Sequence, residues 1–165
     1  MTGVRRKEQG TNAIRRALAA RYVEVQYHFV QFVVDHLVDC RRSMGDFDDV
    51  MILAILGQRR LEARRDHDVG EPAAAKRVWM SASRLSDVTS IPRETVRRKL
   101  VRLRDRGWIE EDAALGWRIA GTADVSKVRD DLADLDSRGM DRLSRLVSGL
   151  MPLLDAGNPV ESGDG

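Results

Sequence analysis

The stretch Ser83–Asp112, "SRLSDVTSIPRETVRRKLVRLRDRGWIEED", decides how this chain is read. Eight basic residues fall within Ser83–Arg106, against three acidic ones, although the whole 165-residue chain has a formal net charge of only +2. A local concentration of one sign attracts an oppositely charged partner even on a near-neutral molecule. The order within the stretch is also informative. Ser81 or Ser83 opens a short helix carrying Leu85 and Val88, and Thr89–Ser90–Ile91 makes a turn. Pro92 suits the first turn of the next helix, where its missing N–H costs nothing. That helix runs to about Arg106 on Val96, Leu100 and Leu103, and Gly107 stops it. "WIEED" (Trp108–Asp112) and "GWRIA" (Gly116–Ala120) then read as two short strands of a hairpin.

The apolar residues Leu85, Val88, Ile91, Val96 and Leu100 are expected to lock the two helices together at a steep angle. Helical geometry then leaves Arg93, Glu94, Arg97 and Arg98 on the other side of the second helix or its edge. A helix of that kind fits the DNA major groove, where Arg contacts guanine edges and Glu accepts from cytosine. Lys99 and Arg102 are expected to neutralise phosphates, and Ser83 and Thr95 suit phosphate contacts near helix starts. Arg118 is the single basic residue of the hairpin. These nine residues form the candidate DNA-contacting set.

The run "LSDVTSIPRETVRRKLVRLRDRGWI" resembles the helix-turn-helix of bacterial winged-helix transcription regulators of the MarR, GntR and IclR families. Thr95–Val96–Arg97–Arg98–Lys99–Leu100 and Gly107–Trp108–Ile109 carry most of the likeness, which covers about 40 of the 165 residues. The flanking order, long helix first and long helix last, is similar to the MarR layout, in which those ends build a dimer. The resemblance implies a cytoplasmic transcription regulator that binds double-stranded DNA as a homodimer. Two features depart from the family pattern. Ser90 stands where such turns often carry glycine, and the wing "IEEDAALGWRI" is short and acidic.

Elsewhere the pattern is mainly α: a winged helix-turn-helix module, 46–121, flanked by long N- and C-terminal helices. Residues 1–45 read as a frayed arm over 1–10 followed by one long helix from about Asn12 to Arg41. Its stripe is Leu18, Tyr22, Val25, Phe29, Phe32, His36 and Cys40. After a break at Gly45, Asp46 is a good N-cap, with Asp48 and Asp49 in the first turn and Met51, Ile52, Ile55, Leu56 and Leu61 buried. Arg64–Lys76 reads as a loop and Arg77–Met80 as a short strand. In 122–151, Thr122 or Asp124 opens a helix on Val125, Val128, Leu132 and Leu135. The spacing resumes at Leu143, Leu146 and Leu150 with a kink at Gly139, and 152–165 reads as a disordered tail. The end helices either pack on each other within one chain or supply a homodimer interface, and their near-heptad seams, Leu18 to Cys40 and Val125 to Leu150, favour the dimer.

Several classes are disfavoured. A lone Cys40 forms no internal disulfide, which points to the reducing cytoplasm. The basic N-terminus lacks the apolar core of a signal peptide. Glu24, His28 and Asp35 interrupt the most hydrophobic stretch, Val23–Val38, so no membrane span is expected. His36 and Cys40 share a helix face as metal ligands would, but they also continue the apolar stripe, and a helix seam is the better reading. No metal, cofactor or catalytic residue is expected, because no catalytic or nucleotide-binding fingerprint is present. Tyr22, Phe29, Phe32 and Trp79 could line a pocket for an unknown small-molecule effector, although ordinary core is the simpler reading. Two functions from different classes remain: a DNA-binding regulator, and a winged-helix adaptor that binds another protein and not DNA.

Overall fold

A computed structural model of the chain describes residues 2–68, 77–122 and 125–155. Its elements, in order, are α1 (Thr2–Ala20), α2 (Tyr22–Met44), α3 (Phe47–Asp68), α4 (Ala82–Thr89) and α5 (Arg93–Asp105). Then come β1 (Ile109–Asp112), β2 (Gly116–Ile119), α6 (Lys127–Asp131) and α7 (Ala133–Asp155). The fold is mainly helical with one two-stranded antiparallel sheet. The chain divides into two compact units, Cys40–Leu135 and a helical unit of 1–39 with 136–165. The central unit is thus wider than the expected 46–121, taking in the end of α2 and all of α6.

The central unit is organised by its caps. Asp46 starts α3 by accepting the Asp48 N–H at 2.9 Å, with Asp48 and Asp49 in the first turn. α3 continues to Asp68, so Arg64–Asp68 are helical rather than loop; no glycine or proline stands between Arg64 and Gly70 to stop it. The rest of that expected loop, 69–76, lies outside the described residues. Ser81, not Ser83, caps α4, its hydroxyl accepting the Arg84 N–H at 3.2 Å. Ser86 Oγ donates to the Ile91 carbonyl at 2.6 Å, and Thr89 Oγ1 donates to the Leu85 carbonyl at 2.6 Å. These bonds tie down a turn in which Ser90 adopts φ 59°, the one positive φ among the described non-glycine residues. A left-handed L-residue costs about 1–2 kcal/mol against glycine's freedom. Ser90→Gly is therefore expected to stabilise the unit by about 0.5–1 kcal/mol, read as a raised thermal midpoint.

Pro92 occupies the N-cap of α5, and Gly107, at φ 73°, closes the helix. The Trp108 N–H reaches the Leu103 carbonyl at 3.1 Å and the Gly107 N–H reaches the Arg104 carbonyl at 2.7 Å, the paired bonds of a Schellman stop. The hairpin pairs Ile109 with Ile119 and Asp112 with Gly116. At its tip Asp112 Oδ1 accepts the Ala114 and Leu115 N–H groups, both at 2.8 Å. The expected strand Arg77–Met80 reduces to one bridge, Met80 to Trp117, with two 2.9 Å hydrogen bonds. A side chain at Gly116 would bring Cβ within 2.6 Å of the Met80 carbonyl, which forces glycine there.

The core of this unit comprises Ile52, Leu53, Leu56, Met80, Leu85, Ile91, Val96, Leu100, Leu103, Trp108, Ile109, Trp117 and Ile119. Three residues expected inside are not: Val88, Met51 and Leu61 are exposed. α4 has only eight residues, and Leu85 alone supplies its buried contact. Thr122 Oγ1 accepts the Val125 N–H at 3.2 Å, but the helix itself starts at Lys127. It breaks at Leu132, not at Gly139, which sits inside α7.

The helical unit also differs from expectation. The long first helix is two helices meeting at Arg21, and α1 reaches back to Thr2 instead of fraying over 1–10. α7 extends to Asp155, so the expected tail from 152 begins helical, and 156–165 lie outside the described residues. Asp39 ties α2 to α7, accepting from Arg138 Nε at 2.8 Å, Arg138 Nη2 at 3.1 Å and Arg142 Nη2 at 2.7 Å. The Arg138 and Arg142 bonds outweigh the cost of burial and lower the Asp39 carboxyl to about 2. Among the described residues of this unit, no large apolar side chain is buried. Among the described residues of the chain, no helix is long and apolar enough to cross a membrane.

Candidate nucleic-acid interface

α5 has a strict inside and outside. Val96, Lys99, Leu100 and Leu103 are buried, while Arg93, Glu94, Arg97, Arg98 and Arg102 are exposed and Thr95 is half-buried. Helical spacing produces this division: positions 96, 99, 100 and 103 recur every three or four residues. The inward stripe packs on the core and holds α5 by its back, so the opposite face is presented rigidly.

The exposed cations are not all available. Arg97 pairs with Glu94 at 2.7 Å on the open surface, where such a pair opens readily. Arg102 donates to the buried Asp49 and is half-exposed. Arg104 spans Glu111 at 3.2 Å and Asp105 at 3.5 Å, and Arg106 lies 4.1 Å over the Trp108 ring. Arg93 and Arg98 have no side-chain partner among the described residues.

Lys99 is a correction to the candidate set. It is 5% exposed, with its ammonium bonded to Asp46, 3.6 Å from Asp49 and 4.0 Å from Asp48. It stands on the same side of α5 as Val96 and Leu103, so it faces the N-terminus of α3 and cannot meet a phosphate. The Lys99 hydrogen bond, then the Asp48 N–H, outweigh desolvation and lower the Asp46 carboxyl below its usual range. Asp49, fully buried, receives Arg102 and faces Lys99. The first-turn acids of α3 thus support the helix and also grip α5.

Arg118 is similarly engaged: its Nε donates to Glu110 and its guanidinium lies 4.4 Å over Trp79. The acids of the hairpin are consumed internally as well, Glu110 by Arg118, Glu111 by Arg104 and Asp112 by the turn N–H groups. Behind the hairpin, Trp108 Nε1 donates to Asp131 Oδ2 at 2.7 Å, joined there by Lys127. Those two hydrogen bonds, Lys127 first, lower the Asp131 carboxyl.

Ser83 lies half-buried in the first turn of α4 without the capping role. Arg84, absent from the candidate set, is exposed beside it and has no side-chain partner among the described residues. Its signal was available: it is one of the eight clustered cations and follows a capping serine by three positions. The surface thus carries Arg84, Arg93 and Arg98 as unpaired cations, with Arg97 held by an exposed carboxylate it can exchange and Arg102 anchored on the buried Asp49.

Among the described residues, no group of His, Cys, Asp or Glu could hold a metal ion. Cys40 is buried and in no disulfide, and the His36 ring stacks on Phe32 at 5.9 Å. The chain matches no protein-family model, no curated protein and no solved structure.

Proposed function

We propose that the chain is a cytoplasmic transcription regulator of the winged helix-turn-helix type, with α5 entering the major groove of double-stranded DNA. One observation carries the reading: α4, a tight turn and a basic α5 whose inner side is locked into a core, leaving Arg93, Glu94, Arg97 and Arg98 outermost. In this reading Arg84, Arg93 and Arg98 take phosphates or guanine edges, and Glu94 and Arg97 separate to read bases. The wing contributes shape rather than charge, because Arg118 is already paired.

The test is fluorescence anisotropy of the protein with DNA from upstream of its own gene and with scrambled DNA, over a salt series. Sequence-dependent binding is expected, with log K falling by about 0.9 per phosphate contacted. Arg93→Ala with Arg98→Ala is expected to weaken binding by about 10- to 100-fold while the thermal midpoint stays unchanged. Full affinity in that double variant overturns the reading. The internal neutralisation of so many cations favours a second reading, a winged-helix adaptor for a protein partner. It would show weak, sequence-independent DNA binding beside a stable protein complex.

The same reading includes a homodimer. α2 carries apolar residues on two opposite sides. Phe32, His28 and Asp39 share the side tied to α7. Val23, Tyr27, Val30, Val34 and Leu37 lie on the other side at 43–76% exposure. α7 adds the exposed Met140, Leu143, Val147 and Met151. A helix apolar on both sides belongs between two partners. The spacing of 4, 3, 4 and 3 is nearly symmetric about Val30, so an antiparallel second copy can set Val30 on Val30 and Val23 on Leu37. Such a dimer would read a palindromic site with half-sites about one DNA turn apart. Sedimentation at micromolar concentration should give a dimer that Val30→Asp with Val34→Asp converts to monomer. A monomeric parent protein overturns it.

A further inference from the structure

Within the helical unit, α2 and α7 border a cavity of about 260 Å³ for which the DNA reading has no use. Phe32 and Leu146 make its apolar wall, and His28, Arg142 and Arg145 bring donors, with Asp35 also lining it. Arg142 is the informative residue. It is 8% exposed, its Nη2 donates to Asp39 at 2.7 Å, and its Nε is buried with no acceptor. Both Asp39 oxygens are already engaged, accepting three hydrogen bonds from Arg138 and Arg142, and the Arg142 Nε is not among those donors. A buried donor without an acceptor costs about 1–3 kcal/mol, and more when charged. Arg145 is exposed at the same cavity and has no carboxylate partner among the described residues.

We propose that this cavity binds a small organic carboxylate with a short apolar body. The carboxylate takes up the spare donors of Arg142 and Arg145 beside His28, and the chain lies on Phe32 and Leu146. Asp35 in the lining disfavours a dianion. The volume lies below the ~300–1,000 Å³ of drug-sized sites, so the ligand is small. Gly149 lets the His28 ring pack closely on α7, because a Cβ there would stand 2.8 Å from that ring.

The experiment is titration of the full chain with hexanoate, followed by amide NMR shifts, with hexan-1-ol and inorganic phosphate as controls. Its readout does not depend on DNA. Saturable shifts in α2 and α7 are expected with hexanoate alone, since hexanol lacks the charge and phosphate lacks the chain. Arg145→Ala, an exposed position that leaves the fold intact, should weaken hexanoate about tenfold through one lost charge-assisted bond. Leu146→Trp, which fills the cavity while keeping Arg142, should abolish binding with the helical spectrum retained. Absence of saturable hexanoate shifts, equal binding of phosphate or hexanol, or unchanged affinity in both variants overturns the proposal.

Discussion

In denaturant titration, Asp49→Ala is expected to lower the stability of the central unit by about 3–5 kcal/mol. Its carboxylate is fully buried at the first turn of α3, bonded to Arg102 and 3.6 Å from Lys99. Removing it breaks the Arg102 bond and leaves Lys99, whose side chain is 6% exposed, with its bond to Asp46 and with Asp48 at 4.0 Å. The cost combines that lost charge-assisted bond with the weaker compensation of a buried ammonium that keeps one of its two near carboxylates. Two controls separate this from a general effect of losing an acid. Asp48→Ala, half-exposed and at the rim of the cluster, should cost less than about 1 kcal/mol. Asp49→Leu combined with Lys99→Met should recover most of the loss, because both charges leave together. An Asp49→Ala protein as stable as its parent would show that the cluster does not form in solution.

A second large effect contrasts two valines that look alike in sequence. Val96→Asp should abolish folding of the central unit, a loss above about 4 kcal/mol, because a carboxylate would replace a fully buried side chain among Leu85, Leu100 and Leu103. Val88→Gln should change stability by less than about 1 kcal/mol, since Val88 is 44% exposed. Circular-dichroism melts of the pair read both. Equal destabilisation would mean that α4 packs through Val88 after all, and that its rotation about Leu85 differs from the one described.

What could be read in advance followed from local rules. Ser81, Asp46 and Gly107 delimit their helices by capping chemistry, Pro92 stands one residue before α5 rather than in its first turn, and the apolar spacing of Val96, Leu100 and Leu103 sets the inner face of α5. Lys99 went astray although its signal was present. It stands three residues after Val96 and four before Leu103, so the helical period places it inward. Its charge argued for water and phosphate, and the period prevailed because Asp46 and Asp49 wait beneath it. That rescue joins residues 53 apart in the chain, a pairing no local pattern displays. The breaks at Arg21 and Leu132 carry neither glycine nor proline, so nothing nearby in sequence marks them. Gly139 carries the expected breaker and stays helical, with its missing side chain facing the His36 ring, 3.9 Å from where Cβ would be. A Cβ there would make only ordinary van der Waals contact, so the packing of α2 on α7 tolerates glycine without requiring it.

The paired arginines also govern how the molecule would meet a polyanion across solvent. Beyond the Debye length, about 10 Å at 0.1 M salt, a guanidinium with a carboxylate at contact distance is a weak dipole. The far field of the α4–α5 surface therefore comes chiefly from Arg84, Arg93, Arg98 and Arg106, whose contact with the Trp108 ring leaves its charge in place, and the carboxylate-paired cations of the stretch count for little at range. Capture is modestly steered, and the commitment comes late. Arg97 joins only once a phosphate is near enough to displace the exposed Glu94, while Arg102 stays anchored on the buried Asp49. That exchange adds a barrier on the way in and a latch on the way out, so sequence discrimination would be expressed in residence time more than in the rate of encounter.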